Sequence, residues 1–348
     1  MSRTLRVILA GVISLAACWS VQVLPSSAIP RNADLMVRAG EIMEQTIKAI
    51  RSAREHAGTG LDLEADPNRT GLIGPEVSPL MTTLGELAAK RTTTNPNMAG
   101  FMVYLLDEAG VKPGDHIAIG SSGSFPALLV ASLAAAKAMD VHPVTILSLG
   151  ASSYGATDPE FTLLDLYEQL QREGICGTPP AAVSLGGDRD VGTDYPAELR
   201  TRLMRRIETS HVPLLCEPDL EKNASEHMRI YQDAAHGDIA AFINSGGGFA
   251  NLGTSLQVLD VKPGLHLSLP VPPLSGRGVL FDMAARRVPV IHLLFIKGLV
   301  MQAGLPWDPI PLPKPGVVRP LGAAGAGSFW LISAGYFALL LLLAVYRG

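Results

Sequence analysis

The chain has 348 residues, 47% hydrophobic and 17% charged, with a formal net charge of −4 and a mean hydropathy of +0.26. That apolar mass is enough for one large domain plus membrane segments, and the mixed, slightly acidic charge excludes a dedicated nucleic-acid binder, which needs a basic excess. No CxxC, HxxxH or HExxH spacing occurs, so no metal site is expected, and no motif asks for a cofactor.

Residues 1–28 open with Arg3 and Arg6 before an apolar run from Val7 to Val21. The run reads as a signal anchor, as a signal peptide ending near Ser26-Ser27-Ala28, or as a lipoprotein signal with Leu15-Ala16-Ala17-Cys18 as its lipobox. Each reading puts the main domain outside the cytoplasm, on the cell membrane. Residues 29–70 follow as an amphipathic helix and a loop. From Asp34 to His56, Leu35, Met36, Ala39, Ile42, Met43, Thr46, Ile47 and Ile50 recur at helical spacing, and the Gly-, Pro- and Asp-rich stretch from Gly58 to Pro79 reads as irregular.

An α/β domain is expected over residues 71–304. Asn95-Pro96 is an N-cap followed by proline at the first helical position; Met98, Phe101, Met102, Leu105, Leu106 and Ala109 form one helix face, and Gly110 ends it. Short strands, apolar on both faces, are expected at Ile117–Ile119, Val144–Leu149, Ala181–Leu185, Val212–Leu215, Ile239–Ile243 and Val290–Leu294, with helices between most of them. That alternation predicts a doubly wound α/β fold: a mostly parallel sheet with helices on both faces. The run from Val111 to Ile119 echoes the run from Val261 to Leu269, each opening on Val-Lys-Pro-Gly. The echo reads either as a duplicated unit or as turn chemistry that recurs before strands. Residues 305–327 are Pro-rich, then Gly/Ala-rich, and read as a tether. Residues 328–346 form an uncharged apolar run with aromatics near its ends, read as a C-terminal transmembrane helix.

Three Gly/Ser turns fall at strand ends. In Gly120-Ser121-Ser122-Gly123-Ser124-Phe125-Pro126, Pro126 suits the first turn of a helix, and the free N–H groups with the hydroxyls of Ser121, Ser122 and Ser124 converge where open α/β sheets bind ligands. The bland reading is a turn whose serines only cap the helix. A second turn runs from Ser148 to Gly155 and contains Ser152; a third is Asn244-Ser245-Gly246-Gly247-Gly248-Phe249. Upstream, Lys90 and Arg91 sit among Thr82, Thr83, Thr92, Thr93 and Thr94, just before a helix start, a combination suited to carboxylate or phosphate. The expected ligand-binding set is Lys90, Arg91, Thr94, Ser121, Ser122, Gly123, Ser124, Ser152, Asn244, Ser245, Gly246 and Gly247.

Ser122 also occupies the serine of a G-x-S-x-S pattern, one glycine short of a nucleophile elbow. Asp158, Asp188, Asp190 and five later histidines make a Ser/Asp/His order available at no cost, so order alone selects no triad. His292, inside an apolar run, reads as a core histidine, and Arg202, Arg205 and Arg206 as a solvated helix face. Cys176 and Cys216 are either a pair or two separate thiols.

The segments TGLIGPEVSPLMTTLGELAAKRTTTNPN, GDHIAIGSSGSFPALLVASLAAAKAM and ILSLGASSYGAT resemble the poly-γ-glutamate system protein family, most clearly from Leu72 to Gly187 and more weakly at Asn244 to Gly253. The resemblance implies an accessory role beside the membrane-bound poly-γ-glutamate synthase complex, with the polymer or a small anionic ligand as binding partner. It carries over no catalytic residue. Two alternatives stand beside it: an envelope serine hydrolase or γ-glutamyl transferase using Ser122, and a scaffold that binds nothing.

Overall fold

The computed structural model describes residues 7–15, 30–320 and 333–339. Its centre is a seven-stranded sheet in the order β6-β5-β3-β2-β7-β9-β8. The strands are β2 (His116–Ser122), β3 (His142–Ser148), β5 (Ala182–Ser184), β6 (Leu214–Leu215), β7 (Ala241–Ser245), β8 (Gly264–His266) and β9 (Val290–His292). All pairings are parallel except β8 on β9. A separate two-stranded parallel sheet joins β1 (Met81–Thr83) to β4 (Ala151–Ser152).

Both faces of the central strands are buried because their side chains alternate between two apolar layers. Ile117, Ile119, Leu147, Ile243 and Ile291 belong to one cluster; Ala118, Ile146, Phe242 and Val290 belong to the other. The first is covered by α2 (Ala33–His56), α4 (Asn97–Glu108), α5 (Pro126–Met139) and α6 (Leu163–Arg172), the second by α8 (Leu220–Ala234) and α10 (Val279–Ala285). The doubly wound reading is therefore met in the core. Helix α5 is apolar all round, as a helix enclosed by α2, α4 and the sheet must be. The expected face of α2 is the buried one: Met36, Ala39, Met43, Thr46, Ile47 and Ile50 turn inward. Helix α4 begins one residue later than expected, with Pro96 at the N-cap position, and Asn95 Oδ1 accepts the Asn97 N–H at 3.0 Å just ahead of it.

Chain order runs outward from β2 through β3, β5 and β6, then returns to place β7 on the other side of β2. The direction of winding reverses between β2 and β7, and their carboxyl ends, Ser122 and Ser245, flank the resulting crevice.

Two sequence expectations change. The two Val-Lys-Pro-Gly echoes lead into unlike strands, the central parallel β2 and the antiparallel edge strand β8, so they are not equivalent halves of a duplication. The first part of the expected tether is seated on the domain: Asn97 Nδ2 donates to the Lys314 carbonyl at 3.1 Å, the Gly316 N–H donates to Asn97 Oδ1 at 2.8 Å, and Val318 is buried. A proline-rich strand has few N–H donors of its own, so carboxamides of the domain hold it through its carbonyls. Among the described residues no helix is long and apolar enough to cross a membrane. The described parts of the two apolar runs are α1 (residues 7–15) and α12 (residues 333–339); the rest of both, including Cys18, lies outside the described residues.

Candidate functional site

Sequence places serines at the ends of adjacent strands, and the parallel register brings them level. Ser122 pairs with Ser148 across β2 and β3, Ser148 with Ser184 across β3 and β5, and Ser121 with Ser245 across β2 and β7. At this edge lies a pocket of about 530 Å³ lined by Thr82, Thr83, Ser122, Ser124, Ser148, Gly150, Asp188, Asp190, Asp194 and the Gly247–Phe249 turn.

The turns that form it depend on glycine at close approaches. Gly246 has φ +99°, and a Cβ there would lie 2.1 Å from Ser122 Oγ. Gly187 has φ +68°, and a Cβ there would lie 2.2 Å from Asp194 Oδ1. Both positions combine a left-handed backbone with contact to a polar side chain of the pocket, which no other residue tolerates without movement.

Of the expected site residues, Ser122, Ser124 and Gly247 line the pocket. Ser121, Asn244 and Ser245 are fully enclosed behind it, and Ser121 Oγ, Asn244 Oδ1 and Ser245 Oγ have no hydrogen-bond partner among the described residues. Asn244 Nδ2 contacts the Gly246 carbonyl and His292 Nδ1, each at 3.1 Å. Burial holds the His292 imidazole down to about 4, with the nearby His266 adding to the effect, so His292 is the neutral core histidine its apolar run suggests. Gly123 packs under the second turn, where a Cβ would meet the Leu149 carbonyl at 2.9 Å.

The cations are a correction. Lys90, on α3 (Leu87–Thr93), is 2% exposed, and its ammonium donates to the Ser124 carbonyl and, at 2.5 Å, to Ser152 Oγ, with the Phe125 ring 3.9 Å away. Burial lowers its pKa to about 7. It ties α3 to two turns from beneath and does not line the pocket. Arg91 points elsewhere: Nε donates to Asp308 Oδ1 at 2.7 Å and the terminal nitrogen reaches Oδ2, a bidentate pair that secures the proline-rich segment. Thr94 Oγ1 donates to the Arg91 carbonyl at 2.7 Å and is spent on the helix end. The threonine-flanked Lys-Arg pair is helix-end and docking chemistry, which short-range sequence cannot separate from an anion site.

The sequence reading also missed which charge dominates the pocket. Its charged lining residues are Asp188, Asp190 and Asp194. They sit on the loop Gly186–Asp194, where Arg189 and Asp190 take φ values of +52° and +66°. Two consecutive non-glycine residues in that region cost about 1–3 kcal/mol each. The packing that holds them includes the Tyr195 hydroxyl on the Leu185 carbonyl at 3.0 Å. Asp188 and Asp194 face solvent; Asp190 is 1% exposed. Asp190 Oδ1 accepts from Ser148 Oγ at 2.9 Å and Ser184 Oγ at 2.8 Å, while Oδ2 has no partner among the described residues. Burial raises the Asp190 pKa, opposed by the facing His227 and by those hydroxyls. Burial likewise lowers His227, whose Nδ1 lies 2.9 Å from the Asn223 carbonyl.

Ser122, the expected nucleophile of the alternative reading, has a weak surrounding for that role. Its Oγ is approached by the Ser124 N–H at 3.4 Å, and among the described residues no histidine ring bonds to it. Cys176 and Cys216 are separate thiols, one buried and one exposed.

The chain was compared with protein-family models, with characterised proteins and with solved structures, and it matches none of them; the chemistry of the pocket therefore rests on its own geometry.

Proposed function

We propose that the chain is a membrane-attached accessory component of a poly-γ-glutamate synthesis or export system, and that the switch-point pocket holds the amino-terminal end of a γ-linked glutamyl chain. The observation that carries the ligand assignment is the composition of the pocket wall: the carboxylates of Asp188 and Asp194 beside the hydroxyls of Ser122 and Ser124, with no Lys or Arg among the described residues that line it. A purely anionic ligand meets like charge there. A glutamyl chain end carries an ammonium for the aspartates beside a carboxylate and amides that accept from the hydroxyls, and each ionic contact is charge-assisted.

The polymer and its synthase complex come from the resemblance of residues 72–187. Membrane attachment is supported by the two terminal helices. Val7, Ile8, Val12 and Leu15 of α1 and Phe337 and Leu339 of α12 are exposed, and the two apolar helices touch where Ser14 Oγ lies 2.9 Å from the Tyr336 hydroxyl. Lipid is the solvent in which such side chains stay exposed at no cost.

The test is calorimetric titration of the full chain in detergent with a γ-linked glutamyl oligomer and with its N-acetylated form. Binding is expected for the free amine alone, and it is expected to disappear in Asp188→Asn with Asp194→Asn. Equal binding of the acetylated oligomer, or none of either, overturns the reading.

A further inference from the structure

Behind the pocket, a second cavity of about 10 Å³ is lined by Ser121, Ser148, Asp190, His227 and Asn251, among others. It has room for about one water molecule. Two buried oxygens without partners, Asp190 Oδ2 and Ser121 Oγ, belong to residues on its wall. Ser148 and Asp190 both line both spaces. At the wall of the open pocket the Ser148 hydroxyl already donates to the Asp190 carboxylate at 2.9 Å. A nucleophile and its base need this reach, about 2.6–3.2 Å.

Leaving an Asp with one unpaired oxygen 1% exposed, on a loop whose backbone is left-handed at that residue, is expensive. A packing role does not need it: an asparagine would take the same volume without a buried charge. The N–H groups of Gly150, Gly247 and Gly248, also at the pocket wall, have no backbone partner among the described residues. They are donors of the kind that stabilise a carbonyl oxygen as it becomes negative.

We propose that Ser148 is a nucleophile and Asp190 its general base, forming an acyl-transfer centre for amide or ester carbonyls. The inference shares the pocket with the function proposed above but does not depend on the ligand being a glutamyl chain. Ser148 Oγ attacks the carbonyl carbon as its proton passes to Asp190 Oδ1. The carbon–nitrogen bond then breaks, and the leaving amine takes that proton. Water attacks the resulting ester on Ser148 and gives a proton to Asp190. That proton returns to Ser148 Oγ as the ester carbon–oxygen bond breaks, leaving a free carboxylic acid and a regenerated site. An amine in place of water gives transfer instead of hydrolysis.

The experiment is labelling of the full chain in detergent with a fluorophosphonate, with the adduct mapped by peptide mass spectrometry. Adduct is expected on Ser148, absent in Ser148→Ala and formed at least about a hundredfold more slowly in Asp190→Asn. Circular dichroism melting of each variant reports folding. If Ser148→Ala does not fold, Ser148→Cys serves, with alkylation by iodoacetamide read with and without Asp190→Asn. No adduct on Ser148 in the folded wild type, an adduct on Ser122 instead, or a rate indifferent to Asp190 overturns the assignment. A chain that labels at Ser148 but does not bind the glutamyl oligomer keeps this centre and loses the ligand reading. One that binds the oligomer without labelling does the reverse.

Discussion

Lys90 offers the sharpest test of how the turns around the pocket are held. Lys90 is 2% exposed, with a carbonyl, a hydroxyl and an aromatic ring as neighbours of its ammonium and no carboxylate bonded to it among the described residues. Burial takes its pKa from 10.5 down to about 7. Between those values the unfolded chain holds a proton that the folded chain has released, so stability rises with pH across that window. The limiting slope is about 1.4 kcal/mol per pH unit. Allowing for partial protonation near pH 7, the gain from pH 7 to pH 9 comes to about 2 kcal/mol. Below pH 7 both states are protonated and the contribution levels off at its least favourable value.

Lys90→Met removes the titration while keeping an unbranched side chain of similar length. It also leaves the Ser124 carbonyl without its side-chain donor, a loss of about 1–3 kcal/mol. Urea unfolding of both proteins at several pH values, followed by circular dichroism, separates the two effects. The stability difference between wild type and variant is expected to widen by about 2 kcal/mol from pH 7 to pH 9. Parallel curves, with a constant offset at every pH, would refute the reasoning, since they would mean that Lys90 titrates alike in the folded and unfolded chains.

Gly246→Ala forces a side chain into a φ of +99° and displaces Ser122 Oγ; a loss of about 1–3 kcal/mol in urea is expected, and a change below about 0.5 kcal/mol would show that the turn relaxes freely. Arg91→Ala and Asp308→Ala should couple by about 1–2 kcal/mol in a double-mutant cycle, because the pair is bidentate and only about a fifth exposed; zero coupling removes the docking role. Arg54→Met strands Asp158, with which Arg54 Nη2 pairs at 2.8 Å, and should cost about 3–5 kcal/mol; a melting temperature equal to wild type would contradict this. In a Cys18→Ser background at pH 8, Ellman's reagent should titrate Cys216 at once and Cys176 only after unfolding, since burial holds the Cys176 thiol up at about 11; equal rates would sink that burial.

What could be read from sequence follows the range of the forces involved. The α2 face, the Asn95 hydrogen bond ahead of α4 and the continuous apolar strands are local: each depends on a period or on neighbours a few residues apart, and each appears in the structure. The strand-end serines were legible as a set, because a parallel sheet must gather the carboxyl ends of its strands on one edge. The partners of Lys90 and Arg91 were not. Lys90 meets Ser152, 62 positions away, and Arg91 meets Asp308, 217 positions away, so the sequence shows two cations beside hydroxyls and hides what neutralises or buries them.

The same limit explains why a local pattern marks Ser122 and none marks Ser148. An elbow pattern is local, whereas a base is defined by distance in space. The bond from Ser148 to Asp190 spans 42 positions and depends on the β3–β5 pairing that sets Ser148 beside Ser184. One local signal did exist. Leu185-Gly186-Gly187-Asp188-Arg189-Asp190-Val191-Gly192 places three glycines around two aspartates directly after a buried strand, as a loop with successive left-handed residues requires. Asp188, Arg189 and Asp194 of that loop face solvent, whereas Asp190 is turned inward onto the hydroxyls of Ser148 and Ser184, which is why the proposed centre sits at this carboxylate and not at the elbow serine.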